Sequence, residues 1–348
     1  MNFIIFGWGI AAVGIAVAIF LFKSKFVWWE YALVAVIPPF MAWAIYAIDT
    51  ESRTQDTEYF TNQVVKVEYY EYWETYVRKT CTRSYDCNCR TVTSGSGKNK
   101  TSHRACSTCY ETYDCSYCDR NSARYIAYNE QGKSTNISEA EFNRIANKFG
   151  TKKFVELNRS INHSGSCGQD GDLYVAEWDG DMNKFEPYCT DHVYENKIRL
   201  NGSYGFRELN QTERAKVFDY PTITNVYQPS IVGNWFNTDD LNWSRFLLDR
   251  FNGQYGKSKQ IKAFIFTYYN QTPDVADLQR IYFQNGNKNE IIICVGYDCC
   301  KATWVKAFSW TDEKICENAA VRFYSPDMKL YELVNEMIPV WTANWKRK

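Results

Sequence analysis

Residues 81–118 read CTRSYDCNCRTVTSGSGKNKTSHRACSTCYETYDCSYC and hold seven of the chain's thirteen cysteines. The state of those thiols decides the compartment and the class of the protein. Two chemistries compete for Cys81, Cys87, Cys89, Cys106, Cys109, Cys115 and Cys118. Cys106-x2-Cys109 and Cys115-x2-Cys118 are spaced like zinc knuckles, with His103 as a substitute ligand. Only five residues separate the two pairs, which is short for two knuckles facing one ion. A small polar segment this dense in cysteine is what disulfides stabilise in an oxidising compartment, by about 2–4 kcal/mol each. Disulfides are the preferred reading and zinc the alternative. Further on, Cys167 and Cys189 flank a β segment and are expected to bridge its ends. Cys299, Cys300 and Cys316 are expected to include one more pair, and Cys294 to be a packed free thiol. Thirteen is odd, so at least one cysteine is unpaired or bonds another chain.

Upstream of this stretch, residues 3–22 carry no charge, and residues 26–48 are broken only by Glu30. About 20 apolar residues span a bilayer core as a helix. The N-terminal 1–50 is therefore expected to be a transmembrane helical hairpin joined at Lys23-Ser24-Lys25, kinked at Pro38-Pro39. Lys23 and Lys25 put the linker in the cytoplasm and both termini and the main domain outside. The expected localisation is the cell membrane, with two spans and the lipid bilayer as a partner.

Val65, Val67 and Tyr69 alternate with Lys66, Glu68 and Tyr70, a strand with one apolar face that leads toward the cysteines. The polar tip at 94–100 reads as a hairpin turn. Ser138 with Glu141 makes a capping box, and Gly150 ends that helix. A hairpin is expected over 172–193, turning at Asp179-Gly180-Asp181. Beyond residue 201 strands and helices alternate. Thr238 is expected to cap a helix running to Phe251; strands are expected at 261–269 and 290–297, with a helix from Thr272-Pro273-Asp274 between them, and the last helix opens at Ser325-Pro326-Asp327. Strand, helix, strand implies a parallel pair. The fold class is thus α+β: a transmembrane hairpin (1–50), a Cys-rich mostly-β extracytoplasmic region (51–200) and a small α/β domain (201–348).

Lys+Arg and Asp+Glu are both 40, so the formal net charge is zero and no basic excess argues for nucleic acid. Asp179-x-Asp181-x-Asn183 is half a calcium loop without its closing Glu, and reads better as a turn. The three histidines have no partner motif, and no phosphate-binding Gly-rich loop occurs. Ligands of α/β domains bind beyond the carboxyl ends of parallel strands, which here carry Tyr269, Asn270, Gln271 and Asp298.

DTEYFTNQVVKVEYYEYWETYVRKTCTR, YDCSYCD, GNKNEIIICVGYD and KAFSWT together resemble a family of uncharacterised two-span membrane-anchored proteins of bacteria and tailed phages. Cys89, Cys118 and Cys299-Cys300 depart from its pattern, and the family implies no catalytic residues. Residues 261–310 are more faintly similar to extracytoplasmic α/β domains of the TPM type. The functional expectation is a non-enzymatic, disulfide-stabilised extracytoplasmic protein that binds or assembles with an envelope or membrane protein, or with further copies of itself. The alternatives are a hydrolase-like or metal-binding α/β domain and a cytoplasm-facing structural zinc module.

Overall fold

The computed structural model describes residues 12–13, 16–17, 36–48, 55–95, 97–150, 152–157, 167–196, 206–310 and 314–347. They form two compact units, 64–186 and 1–63 together with 187–348. One long strand, β1 (Gln55–Tyr70), carries residues of both, 55–63 in one and 64–70 in the other.

The transmembrane hairpin is corrected, and with it the two-span localisation in the cell membrane. No helix among the described residues is long and apolar enough to cross a membrane. Of the expected second span, 36–48 is described and helical, with Pro38 and Pro39 inside it. The linker and most of residues 3–35 lie outside the described residues.

In the unit 64–186, two small ribbons lie beside a larger sheet. β2 (Trp73–Val77) pairs with β5 (Tyr117–Asn121), and β3 (Thr80–Ser94) pairs with β4 (Thr101–Asp114). The larger antiparallel sheet runs β7 (Ser134–Ile137), β6 (Arg124–Asn129), β1, β9 (Leu173–Glu177), β8 (Lys152–Val155). Val67 stands opposite Ala127 and Ala176, and all three are fully buried. Two residues on, Tyr69 stacks on Tyr125 at 4.5 Å and on Tyr174 at 5.6 Å, cross-strand pairs that stabilise a sheet. Helix α1 (Glu139–Phe149) buries Phe142, Ile145, Ala146 and Phe149. Its ends are where local chemistry puts them: Ser138 Oγ accepts the Glu141 N–H at 3.2 Å, and Gly150 takes φ 89°.

The expected hairpin over 172–193 does not form. β9 pairs with residues 66–70 of β1, and the next strand, β10 (Pro187–Glu195), pairs with residues 55–63. Both segments found a longer partner in β1 than either offers the other. Asp179 and Asp181 make turns instead, each accepting a backbone N–H two residues on, and Lys184 Nζ sits 2.6 Å from Asp179.

The other unit is layered. Its sheet runs β11 (Ile231–Val232), β12 (Lys262–Tyr269), β13 (Glu290–Tyr297), β14 (Ala302–Ser309); the first three are parallel and β14 is antiparallel. After a short α2 (Gln211–Arg214), its helices are α3 (Thr238–Tyr255), α4 (Asp274–Tyr282), α5 (Lys314–Arg322) and α6 (Leu330–Asn344). Strand alternation splits the core in two. Ala263, Ile265, Ile291, Ile293 and Val295 pack with Leu248, Leu333 and Trp341. Phe264, Phe266, Ile292 and Cys294 pack with Val275 and Phe283. Asn237, not Thr238, caps α3, accepting the Asp240 N–H at 3.0 Å. That helix runs past Phe251 because Asn252, fully buried, bonds the Ala263 N–H and C=O and stays within it.

Candidate functional site

The ribbon of β3 and β4 is built from residues that no core claims: none of them is buried. An isolated two-stranded hairpin is at best marginally stable in water. Three disulfides cross or close it: Cys81–Cys115, Cys87–Cys109 and Cys89–Cys106. Cys87 stands opposite Ser107 and bonds Cys109; Cys81 stands opposite Tyr113 and bonds Cys115. Both links therefore run on the same diagonal. Between Cys87 and Arg90 the register slips, with Asn88 at φ 48°, so that Asn88 and Cys89 together face Cys106. That bulge brings Cys89 to Cys106. Gly95 and Gly97, at φ 103° and 66°, close the turn read from the sequence.

The ribbon separates charge along its length. Near its base, Arg83 pairs with Glu111 directly opposite. No carboxylate occurs between Asp86 and Glu111, whereas Arg90, Lys98, Lys100 and Arg104 all do. These four are exposed, and among the described residues none has an ion-pair partner. Tyr85, Tyr110 and Tyr113 are exposed too, Tyr110 by 72%.

A fourth disulfide joins Cys118 to Cys167. The expected Cys167–Cys189 bridge is thereby corrected: Cys189 is a buried free thiol beside Thr61, with which it is paired on β1 and β10. Cys316 is buried and Cys299 and Cys300 are exposed, none of the three in a disulfide, so the further pair expected among them is not formed. Cys294 is free as read, its thiol pushed up to about 12 by burial. All seven cysteines of 81–118 are bonded, leaving no thiolate there for zinc. Four disulfides point to an oxidising, extracellular or periplasmic environment.

At the carboxyl ends of β12 and β13, the residues singled out from sequence are held mostly through their backbone. Tyr269 packs on Tyr297 at 5.4 Å, the Asn270 N–H donates to Tyr297 O, and Gln271 O accepts the Trp304 indole N–H at 2.7 Å. Asp298 Oδ1 accepts the N–H groups of Cys300 and Lys301 at 3.1 Å, and these bonds hold its carboxyl below the usual range. Asp298, Cys299 and Cys300 bring three ligand atoms within 4.8 Å of one another, a set suited to a thiophilic ion.

Sequence reasoning missed a cavity of about 400 Å³ lined by Asp56, Tyr59, Tyr220, Tyr282, Gln284 and Asn287 among others. Behind its wall lies Glu290, fully buried at the start of β13, with Asn287 donating to both carboxylate oxygens at 2.8 and 2.9 Å. Burial pushes this carboxyl up to about 7, against the opposing hydrogen bonds from Tyr220 and Asn287. Burial also raises the Tyr59 and Tyr220 phenols, helped by Glu290. The one available signal was an acid opening an otherwise apolar strand, EIIICV. Glu290 does not line the cavity, so the arrangement offers shape and hydrogen bonds rather than an acid–base pair.

Compared with known proteins, the chain matches no family model, no curated protein and no solved structure.

Proposed function

We propose that this chain is an exported binding protein that contacts an envelope polymer bearing phosphate or sulfate groups through the distal half of the β3–β4 ribbon. The observation that carries this reading is the segregation of charge. A chain of zero formal net charge sets four cations and no carboxylate on residues 87–110, the distal half of one disulfide-held ribbon. Exposed cations without partners keep their full charge for an external anion, and the hydroxyls of Thr91, Thr93, Ser94, Thr101 and Ser102 add hydrogen bonds. Crosslinks below the tip limit the ordering entropy lost on binding.

The test is retention on immobilised polyphosphate and heparin over a salt series. Four contacts would give a log–log slope of about −3. Replacing Arg90, Lys98, Lys100 and Arg104 together by Ala should abolish binding with the disulfides intact. Unchanged retention by that variant would sink the proposal.

A further inference from the structure

One buried cation in the second unit has no structural explanation so far. Lys262 opens β12 and is 1% exposed. Its Nζ donates to Thr61 Oγ1 at 2.6 Å, lies 3.8 Å from Cys189 Sγ and stands 5.1 Å from the centre of the Phe264 ring. Thr61 and Cys189 face each other across β1 and β10, with Oγ1 and Sγ 3.5 Å apart. All three residues are at most 5% exposed. Among the described residues Lys262 belongs to no ion pair, although burying an ammonium without one is costly. Its nearest reactive neighbour is a thiol, in a protein eight of whose thirteen cysteines are already oxidised to disulfides.

We infer that Cys189 and Lys262 form an oxidation-dependent crosslink, a nitrogen–oxygen–sulfur bridge that ties β10 to β12. Dioxygen is the oxidant. The Lys262 amine and the Cys189 thiol react with one O2, giving Lys–NH–O–S–Cys and one water. Nitrogen and sulfur each lose two electrons, and O2 takes up all four. One oxygen atom stays in the bridge, and the other leaves as water with one hydrogen from the amine and one from the thiol. If the amine starts as ammonium, one further proton is released. An intervening oxygen leaves N and S farther apart than a direct N–S bond would, so a close-packed core must shift less to form it. The link replaces a buried cation by a neutral group. O2 is small and apolar enough to reach the site through local openings.

The experiment uses the full chain, incubated in air-saturated buffer, unfolded without reductant, alkylated and digested. The expected product joins the peptides of Cys189 and Lys262 with a mass gain of one oxygen and a loss of two hydrogens. It should revert to separate peptides on treatment with a phosphine reductant, and be absent from Cys189→Ser. Quantitative alkylation of Cys189 with Lys262 in an unlinked peptide would overturn the inference. So would a link lacking the oxygen, which indicates a direct N–S bond.

Discussion

Glu290 shows how one residue couples burial to pH. Its carboxyl, held at about 7 when folded against 4.5 as the ordinary value, keeps its proton more firmly in the folded chain than in the unfolded one. The resulting stability is fully present below about 4.5 and is lost as pH rises through about 7. The loss is on the order of 3 kcal/mol between those limits. Glu290→Gln, neutral at every pH, should flatten the difference in denaturant midpoint between pH 5 and pH 8. An equal fall in wild type and variant would refute this. At this scale the sequence is legible where the chemistry is local. Ser138 and Gly150 end α1 as read, because a cap needs only neighbours three or four residues away. Asn237 was passed over for Thr238 since both are competent caps one residue apart. Lys262 and Cys189 were invisible as a pair, because 73 residues separate them.

At the scale of elements, the β3–β4 ribbon depends on its crosslinks and on little else. Its loops close over 34, 22 and 17 residues, each link worth about 3 kcal/mol to the ribbon. Removing Cys87 and Cys109 together by serine should speed hydrogen exchange across 82–112 while leaving β12 and β13 protected, since those strands lie in a separate core. Loss of protection in both places would show that the ribbon is not an independent element. The presence of the ribbon could be read from its polar turn and its cysteines, but the pairing could not. Period-two alternation puts Cys106 out of phase with Cys109 and Cys115, and only the bulge at Asn88 restores the match. The supposed hairpin at 172–193 failed for a related reason: strand pattern identifies strands and says nothing about which partner each takes.

For the whole molecule, the thiol inventory is the decisive quantity. In the folded chain only Cys299 and Cys300 should react with an alkylating reagent, being the exposed free thiols. Cys294 and Cys316 should follow on unfolding, joined by Cys189 where it is not linked to Lys262, and the eight half-cystines only on reduction. Intact mass after each step checks the count. Thiols free in 81–118 with about one zinc per chain would instead return the metal reading and with it a reducing compartment.

What the sequence determined by itself is whatever short-range chemistry dictates: a mostly-β Cys-rich part, an alternating α/β part with a parallel strand pair, helix caps and turns, and an oxidising environment implied by cysteine density. Those signals repeat within a few residues and survive without knowledge of the fold. Tertiary structure alone decided which cysteines bond, that β1 carries residues of both units, that no helix among the described residues is long and apolar enough to cross a membrane, and that Glu290, Lys262 and Cys189 are shut away from water. Each of these depends on chain segments tens to hundreds of residues apart being brought to contact distance. Burial and register exist only after that has happened.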